Sequence, residues 1–175
     1  ATGAIVNNRE LIRRPGVPSS ILPIVTVAST LLHFILSLPA LFVLLMISHT
    51  KMTSAVLALP ALIVVQFALI LSLAYPLATV HVWFRDTQYF LRIALQLLFY
   101  LTPIFYEART IPDRFKTLYN LNPMMHVVEG YRDVLLRGKY PELRSLLLIS
   151  VVSAGVLYVG VAMFRHTSHR FGDEL

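Results

Sequence analysis

The positions of charged residues divide the chain into long apolar runs separated by short polar segments. No charged side chain lies in residues 15–50 or in residues 52–84, and Lys51 occupies the polar turn between these two runs. A membrane-spanning helix needs about 20 mostly apolar residues to cross a hydrocarbon core of roughly 30 Å. Each run is long enough, and no ordinary soluble domain of this size could bury two such helices on all sides. The pattern therefore predicts a chain that folds in lipid.

Four membrane spans follow from this pattern, at residues 21–48, 54–83, 87–106 and 142–164. The first two are antiparallel neighbours because the turn between them is short. The third has the shortest uncharged part, and Arg92 near its polar end can extend its charged group to the interface. The predicted fold class is all-α, a polytopic transmembrane helix bundle.

Residues 107–141, between the third and fourth spans, carry signals for short helices. Asn122 is a good N-cap, Pro123 suits the first helical position, and Gly138 can end the helix that follows. Residues 112–121 could form a second short helix. Two short amphipathic helices between spans predict a re-entrant or interfacial helical hairpin.

Composition supports the membrane interpretation and excludes some functions. Hydrophobic residues make up 57% and charged residues 14% of the chain, against about 25% charged in typical soluble domains. The chain has no cysteine, which excludes disulfides and thiolate metal sites. The net charge of +6 is scattered between apolar runs without a contiguous basic face, so nucleic acid is not expected as a partner. Lysine and arginine are nearly balanced between the two sides, so charge does not decide the topology.

The amino terminus suggests that more of the protein precedes it. The chain begins Ala-Thr-Gly, without Met and without the features of a signal peptide. We therefore expect residues 1–175 to be a single transmembrane domain that forms the C-terminal part of a longer membrane protein.

The polar residues outside the spans allow several interpretations. The helix predicted after Pro123 carries His126, Glu129 and Asp133, which could resemble a metal-binding face, but the pattern lacks the close ligand that an H-E-x-x-H motif would bring. Ion pairs of Glu129 with Arg132, or of Asp133 with Arg137 one helical turn later, are the plainer interpretation. No metal site is expected.

Aromatic residues crowd the end of the third span. They could stack on sugar rings along a translocation path, or they could form an aromatic belt at the membrane interface. These residues are Phe99, Tyr100, Phe105 and Tyr106.

The first polar segment predicts a short helix of basic, acidic and apolar residues. It could dock a cytoplasmic partner through ion pairs around an apolar centre, or it could bind anionic lipid. Its residues are Asn8, Arg9, Glu10, Leu11, Ile12, Arg13 and Arg14.

Three segments, taken in order, resemble the membrane subunit of ABC-type polysaccharide exporters, the type 2 ABC permease family that exports O-antigen, capsule and teichoic-acid polymers. The first is NRELIRRPGVPSSILP at residues 8–23, similar to the family's cytoplasmic segment and its proline-containing link. The second is WFRDTQYFLRIALQLLFYLTPIFY at residues 83–106, and the third is LNPMMHVVEGYRDVLL at residues 121–136. Residues 15–18 depart from many relatives, which carry an aromatic residue before the proline.

The resemblance implies an ATP-driven exporter of a lipid-linked glycan in the bacterial cytoplasmic membrane. Residues 7–20 would dock a separate nucleotide-binding subunit that holds ATP and Mg²⁺, and two copies of the permease would surround the path. Residues 107–141 would form a gate hairpin on the outer side. The family usually has six spans, so four would be visible here. Path and gate candidates are Phe99, Tyr100, Phe105, Tyr106, Asn122, Pro123, Glu129, Tyr131 and Arg132.

Other functions compete with this interpretation. The chain has no GxxxxGK[ST] loop, so we do not expect it to hydrolyse ATP itself. A related permease could carry a drug or a small lipid. A membrane-embedded lipid-sugar enzyme would need acids, histidines or a nucleophile clustered within the spans, and no Asp or Glu lies inside a span. A secondary transporter would need coupling-ion residues at mid-membrane or paired repeats, and neither is seen.

Overall fold

The computed structural model describes residues 21–49, 53–84, 86–104 and 119–168. Nearly all of these residues are helical, and no strand occurs among them. The elements are α1 (Ile21–Ile47), a 3-10 turn (Ser54–Ala58), α2 (Leu59–Trp83), α3 (Thr87–Leu101), α4 (Pro123–Leu135) and α5 (Leu143–Ser168). The predicted all-α class is confirmed.

Within the described ranges, three stretches are long and apolar enough to cross a membrane. They are Ile21–Ile47, Ser54–His81 and Leu143–His166, and they match the first, second and fourth predicted spans. Most side chains of Ile21–Ile47 and of Leu143–His166 are exposed, as expected for helices whose partners include lipid tails, whereas most side chains of Ser54–His81 are buried or half-buried. Pro39 lies inside α1 and Pro76 inside α2, and proline is tolerated there because neighbouring groups can satisfy the freed backbone.

The predicted third span, residues 87–106, is shorter than expected. Helix α3 has 15 residues, which span about 22 Å at 1.5 Å per residue. It ends because Pro103 disfavours the helical conformation of the residue before it. Thr102 is accordingly extended, with φ −87° and ψ 130°. The described helix therefore falls short of a hydrocarbon core of roughly 30 Å.

Helix α2 is the centre of the bundle and packs most extensively against α5. The two run parallel: near one end Leu62 lies close to Leu146, and near the other Tyr75 packs edge-to-face on Phe164, with ring centroids 5.6 Å apart. Helix α1 runs antiparallel to α2, because Phe42 packs near Leu59 and the N-terminal part of α1 packs near the far part of α2.

Helix α4 is a re-entrant helix that lies against half of α2. Its C-terminal residue Val134 packs on Leu62 at the end of the bundle near Ser54. Its N-terminal residue Val127 packs on Leu69 and Ile149, and Leu69 lies about 15 Å along α2 from Leu59. The deep end of α4 is thus its N-terminus, so the helix enters the bundle without crossing it.

A close approach between α2 and α5 depends on Gly160. A Cβ atom built at Gly160 would lie 2.8 Å from Pro76 Cδ and 3.2 Å from Tyr75 Cβ. These atoms belong to a proline ring and to the root of a side chain, so neither can rotate away. Gly155, on the same helix, has no atom of this kind within 4 Å of its Cβ position.

We expect Gly160→Ala to destabilise the bundle by about 1–3 kcal/mol, the usual cost of overpacking. The matched change Gly155→Ala should be neutral or stabilising by up to about 1 kcal/mol, because alanine is the better helix former. Thermal unfolding of the detergent-solubilised protein, followed by size-exclusion chromatography, measures both. Equal midpoint temperatures for the two variants would contradict the packing described here.

Candidate functional site at the re-entrant helix

The N-terminus of α4 is joined to the C-terminal end of α3 by one side chain. Asn122 Oδ1 accepts a hydrogen bond from the Met124 amide at 3.0 Å, which caps α4 as predicted. Asn122 Nδ2 donates to Thr102 Oγ1 at 3.0 Å. Thr102 in turn donates from Oγ1 to the Leu98 carbonyl at 2.7 Å. One amide therefore caps the re-entrant helix and fixes it to the residue where α3 ends.

A second bond joins the same two elements. Arg132 donates from Nη2 to the carbonyl of Ile104 at 2.7 Å, and from Nη1 to Glu129 Oε1 at 2.9 Å. We call the Asn122–Thr102 and Arg132–Ile104 bonds together the junction. It holds the non-helical segment after α3 at two points, both on α4.

One side of α4 carries a network of ion pairs between half-buried side chains. Glu129 accepts from Arg132 at 2.9 Å and from Arg137 at 2.7 Å, and Arg137 also pairs with Asp133 at 2.7 Å. Both predicted ion pairs are present. Burial opposes ionisation of Glu129, but the hydrogen bonds from Arg137 and Arg132 outweigh it, so the pKa of this carboxyl is lowered. The pKa of Arg137 is raised by its hydrogen bonds to Asp133 and Glu129.

The C-terminal end of α4 is closed by a glycine. Gly138 has a φ of 62°, and the Lys139 amide donates to the Asp133 carbonyl at 2.8 Å. A positive φ is easy for glycine and costly for most other residues, so Gly138 ends the helix as predicted. Arg137, directly before this turn, pairs with Glu129 and Asp133.

The opposite side of α4 faces the bundle through Tyr131. Its hydroxyl donates to Gln66 Oε1 on α2 at 2.6 Å, and its ring packs edge-to-face on Phe34 of α1 with centroids 5.8 Å apart. Gln66 therefore forms a hydrogen bond between two helices inside the bundle.

An apolar cavity of about 300 Å³ lies where α3 and α4 meet. Asn122 and Pro123, two of the predicted gate residues, lie in its wall, and leucine side chains supply much of the rest. The cavity places the deep end of α4 beside open space that a moving helix or an aliphatic chain could fill. It is lined by Leu98, Leu101, Tyr119, Leu121, Asn122 and Pro123.

The predicted path and gate residues divide into three sets. Asn122, Glu129 and Arg132 meet around the junction and its ion pairs, with Tyr131 on the other side of the same helix. Phe99 and Tyr100 pack edge-to-face, 5.6 Å apart, on an exposed part of α3 before the junction. Two further aromatics and the predicted docking segment lie outside the described residues: Phe105, Tyr106, Asn8, Arg9, Glu10, Leu11, Ile12, Arg13 and Arg14.

Sequence reasoning missed Thr102 as a partner of Asn122. Thr102 is only 4% exposed, and its hydroxyl bonds to the cap of a helix that begins 21 positions later. The local signal was the Thr-Pro pair. It predicts the end of a helix, but it does not predict which residue bonds to the threonine. Ile104 was missed for a different reason. It accepts the bond from Arg132 through its backbone carbonyl, and the pattern of side chains in a sequence does not predict such a bond.

The fold and the site define a polytopic membrane protein with a re-entrant helix, and comparison with known proteins gives its family. Residues 9–136 match the ABC-2 type transporter family. The chain is 30% identical over 174 residues to the O-antigen export system permease protein RfbA of Myxococcus xanthus, covering 98% of this chain and 67% of that protein. This chain belongs to the ABC-2 type transporter family.

Two further relatives agree with this assignment. The chain is 26% identical over 175 residues to an O-antigen export system permease protein RfbA of Klebsiella pneumoniae, covering 98% of this chain and 66% of the relative. It is 29% identical over 82 residues to the polysialic acid transport protein KpsM of Escherichia coli, covering 47% and 32% respectively. Nearly all of this chain aligns with the two RfbA permeases, and it spans about two thirds of their length.

Substitutions at Asn122 separate its two roles. Asn122→Ala should cost about 1–2 kcal/mol because the helix cap is lost. Asn122→Asp should keep the cap, but an ionised carboxylate has no proton to donate to Thr102. Hydrogen exchange should therefore quicken at the first turn of α4 in Asn122→Ala only, and near Thr102 in both variants. Unchanged exchange near Thr102 in both variants would show that Asn122 does not join the two helices.

The ion pairs around Glu129 predict sensitivity to acid. Because the pKa of Glu129 is lowered in the folded protein, its contribution to stability is complete above the ordinary value of 4.5. The contribution should disappear as the pH falls through the lower pKa of the folded state. Glu129→Gln should be less stable than the parent above pH 4.5 and should approach it in more acidic solution. Midpoint temperatures measured across this range test the prediction, and a difference that does not change with pH would contradict it.

Proposed function

We propose that this chain is part of the transmembrane permease subunit of an exporter that moves a lipid-linked polysaccharide or similar glycan polymer across the bacterial cytoplasmic membrane. The observation that carries the proposal is its similarity, over 98% of its length, to O-antigen export permeases. The three membrane-capable helices support the placement in the membrane. The polysialic acid transport relative supports a polymer of sugars as the cargo.

The energy for transport comes from another subunit in this proposal. The 175 residues contain no P-loop sequence, so a separate nucleotide-binding subunit would hold ATP and Mg²⁺ and carry out hydrolysis. Residues 8–14 are the proposed docking segment for it. Two copies of the permease would enclose the path, since the helices of one copy offer little room for a polymer.

The re-entrant helix is the proposed outer gate. Helix α3 would carry movement from the docked ATPase toward the junction, and the junction would pass it to α4. Two bonds to two different residues of α4 resist both sliding and rotation of the helix relative to α3. The hydrogen bond between Tyr131 and Gln66 holds the closed position on α2, because opening would leave two polar groups at membrane depth without partners.

Replacing Tyr131 by Phe should weaken the closed gate. The change removes the hydroxyl, keeps the ring against Phe34, and costs about 0.5–1.5 kcal/mol, the usual net value of a hydrogen bond. We expect basal ATPase activity of the purified complex to rise and its dependence on glycan to fall. The double variant Tyr131→Phe with Gln66→Leu should add little to the single change, because both remove the same bond. Unchanged basal ATPase activity in the Tyr131→Phe variant would show that this bond does not hold the gate closed.

Copurification tests the proposed function itself. The full-length protein, isolated in mild detergent, should bring along a stoichiometric ATPase, and that partner should be lost when Glu10, Leu11 and Arg13 are replaced together by alanine. Cells lacking the gene should accumulate the glycan inside and lose it from the surface. A preparation without an ATPase in detergent and in lipid nanodiscs, together with normal surface glycan, would contradict the proposal and favour a membrane-embedded lipid-sugar enzyme. If an ATPase copurifies but the exported cargo is a drug or a small lipid, the assignment to an ABC permease would hold and the proposed glycan cargo would be wrong.

A further inference from the structure

Helix α1 carries a row of polar residues along one face. Its members recur every three or four positions, so they lie above one another on the helix, and none of them is buried. From the first to the last they extend about 17 Å at 1.5 Å per residue, which is more than half of a hydrocarbon core of roughly 30 Å. We call them the polar row; they are Thr26, Ser29, Thr30, His33 and Ser37.

The polar row lies between the bundle side and the lipid side of α1. The buried residues Val27, Leu38 and Leu45 mark the bundle side, about a third of a turn from the row at 3.6 residues per turn. The exposed residues Leu32 and Val43 mark an apolar side at a similar angle in the other direction. The row is therefore a separate surface, which the described helices leave largely exposed.

Within the polar row, His33 has the least satisfied side chain. The four hydroxyls of the row each donate to a backbone carbonyl of α1 three or four positions earlier, at 2.6–2.9 Å, and such bonds let serine and threonine face an apolar medium. The imidazole of His33 makes no hydrogen bond or ion pair with a described residue. A ring N–H near the middle of a membrane span needs a polar partner, because lipid tails supply none.

A cavity of about 210 Å³ opens beside the polar row, between α1 and α2. Thr26 and Thr30 line it on α1, and Gln66 and Ile70 line it on α2. Gln66 accepts the Tyr131 hydroxyl through Oε1, and its amide N–H groups donate to no described residue. The row and the cavity together form a concave surface that offers both hydrogen-bond donors and acceptors at membrane depth.

A membrane helix of the same polypeptide fits this surface best. About a third of the length of the two RfbA permeases lies outside their match with this chain, which is enough for further spans of about 20 residues. Small hydroxyl residues let two membrane helices approach closely. A span of the same polypeptide is also tethered near the row, which gives it an effective concentration that a separate chain lacks.

We propose that a span from the part of the permease outside residues 1–175 packs along the polar row of α1. This span accepts a hydrogen bond from His33, and one of its side chains enters the cavity beside Gln66. Because Gln66 also holds Tyr131, the span contacts the residue on which the re-entrant helix rests. The contact goes beyond the proposed function, since it concerns how the subunit is assembled and not what it carries.

Photocrosslinking in membranes that hold the full-length complex identifies the occupant. A diazirine-bearing amino acid at Ser29 or Ser37 should crosslink within the same polypeptide, to a peptide outside residues 1–175 that mass spectrometry identifies. The same probe at Leu32 or Ile35, away from the row on α1, should crosslink mainly to lipid. Lipid adducts at Ser29 and Ser37 as frequent as at these controls, or a crosslink to a second copy, would overturn the proposal.

Thiol labelling tests for water along the polar row. These 175 residues contain no cysteine, so labelling can be assigned by comparing each variant with its parent. A charged, membrane-impermeant thiol reagent should label Ser37→Cys as slowly as the control Ile35→Cys, because a packed helix excludes the water in which thiolates form. Labelling of Ser37→Cys tenfold or more faster than Ile35→Cys would show a water-filled surface and would overturn the proposal.

Substitution of His33 gives an effect whose sign separates a helix from lipid. His33→Leu should lower the midpoint temperature of the full-length protein by about 2–4 °C, the shift expected for the loss of one hydrogen bond in a protein of this size. His33→Gln should lower it less, because its amide can still donate, and Ile35→Leu should leave it unchanged. If lipid covers the row, His33→Leu should instead raise the midpoint, because leucine is favoured against lipid tails.

The two proposals fail in different ways. The crosslinks and the midpoint temperatures depend on neither the cargo nor the ATPase. If the complex copurifies with an ATPase and exports glycan, yet Ser29 and Ser37 crosslink to lipid, only the contact on α1 is wrong. If no ATPase is bound and surface glycan is normal without the gene, the proposed function is wrong whatever packs on the polar row.

Discussion

Backbone polar groups inside a low-dielectric bundle need hydrogen-bond partners, and this need explains how α3 ends beside α4. A helix can end within a membrane protein only where other groups take up the bonds that the helix no longer makes. Helix α3 ends at Leu101 because of Pro103. Arg132 donates to the backbone carbonyl of Ile104 just beyond this end, and Asn122 donates to the hydroxyl of Thr102, which itself donates to the Leu98 carbonyl. Both side chains come from α4. The break in α3 and the position of the re-entrant helix therefore depend on each other.

Helix α2 provides the frame for this arrangement. It contacts every other described helix, and its surface changes character along its length. Near Pro76 it meets α5 so closely that Gly160 has no room for a side chain. Near Gln66 it offers α4 a polar partner in the form of a single amide. The first contact fixes two spans rigidly, whereas the second adds one hydrogen bond to the apolar packing of Val127 and Val134 of α4 on α2.

The charged side chains of α3 and α4 differ in their surroundings. The ion pairs of Glu129, Asp133, Arg132 and Arg137 are concentrated on one half-buried side of α4, where the charges balance one another. On α3 the situation differs, because Arg92 has neither an acidic neighbour on its face nor a bond within the described residues. A self-contained network suits a structural role.

The sequence by itself determined the membrane class, three of the spans and the cap of α4. Long uncharged runs and Asn-Pro act over a few neighbouring residues, so their effects can be read locally. It also predicted both ion pairs on α4, because residues three and four positions apart share a helix face. Only the tertiary structure decided that α3 stops short, that Thr102 meets Asn122 and that Arg132 reaches the Ile104 carbonyl. Those bonds join residues 20 and 28 positions apart, and their formation depends on how the helices pack, which no local pattern specifies.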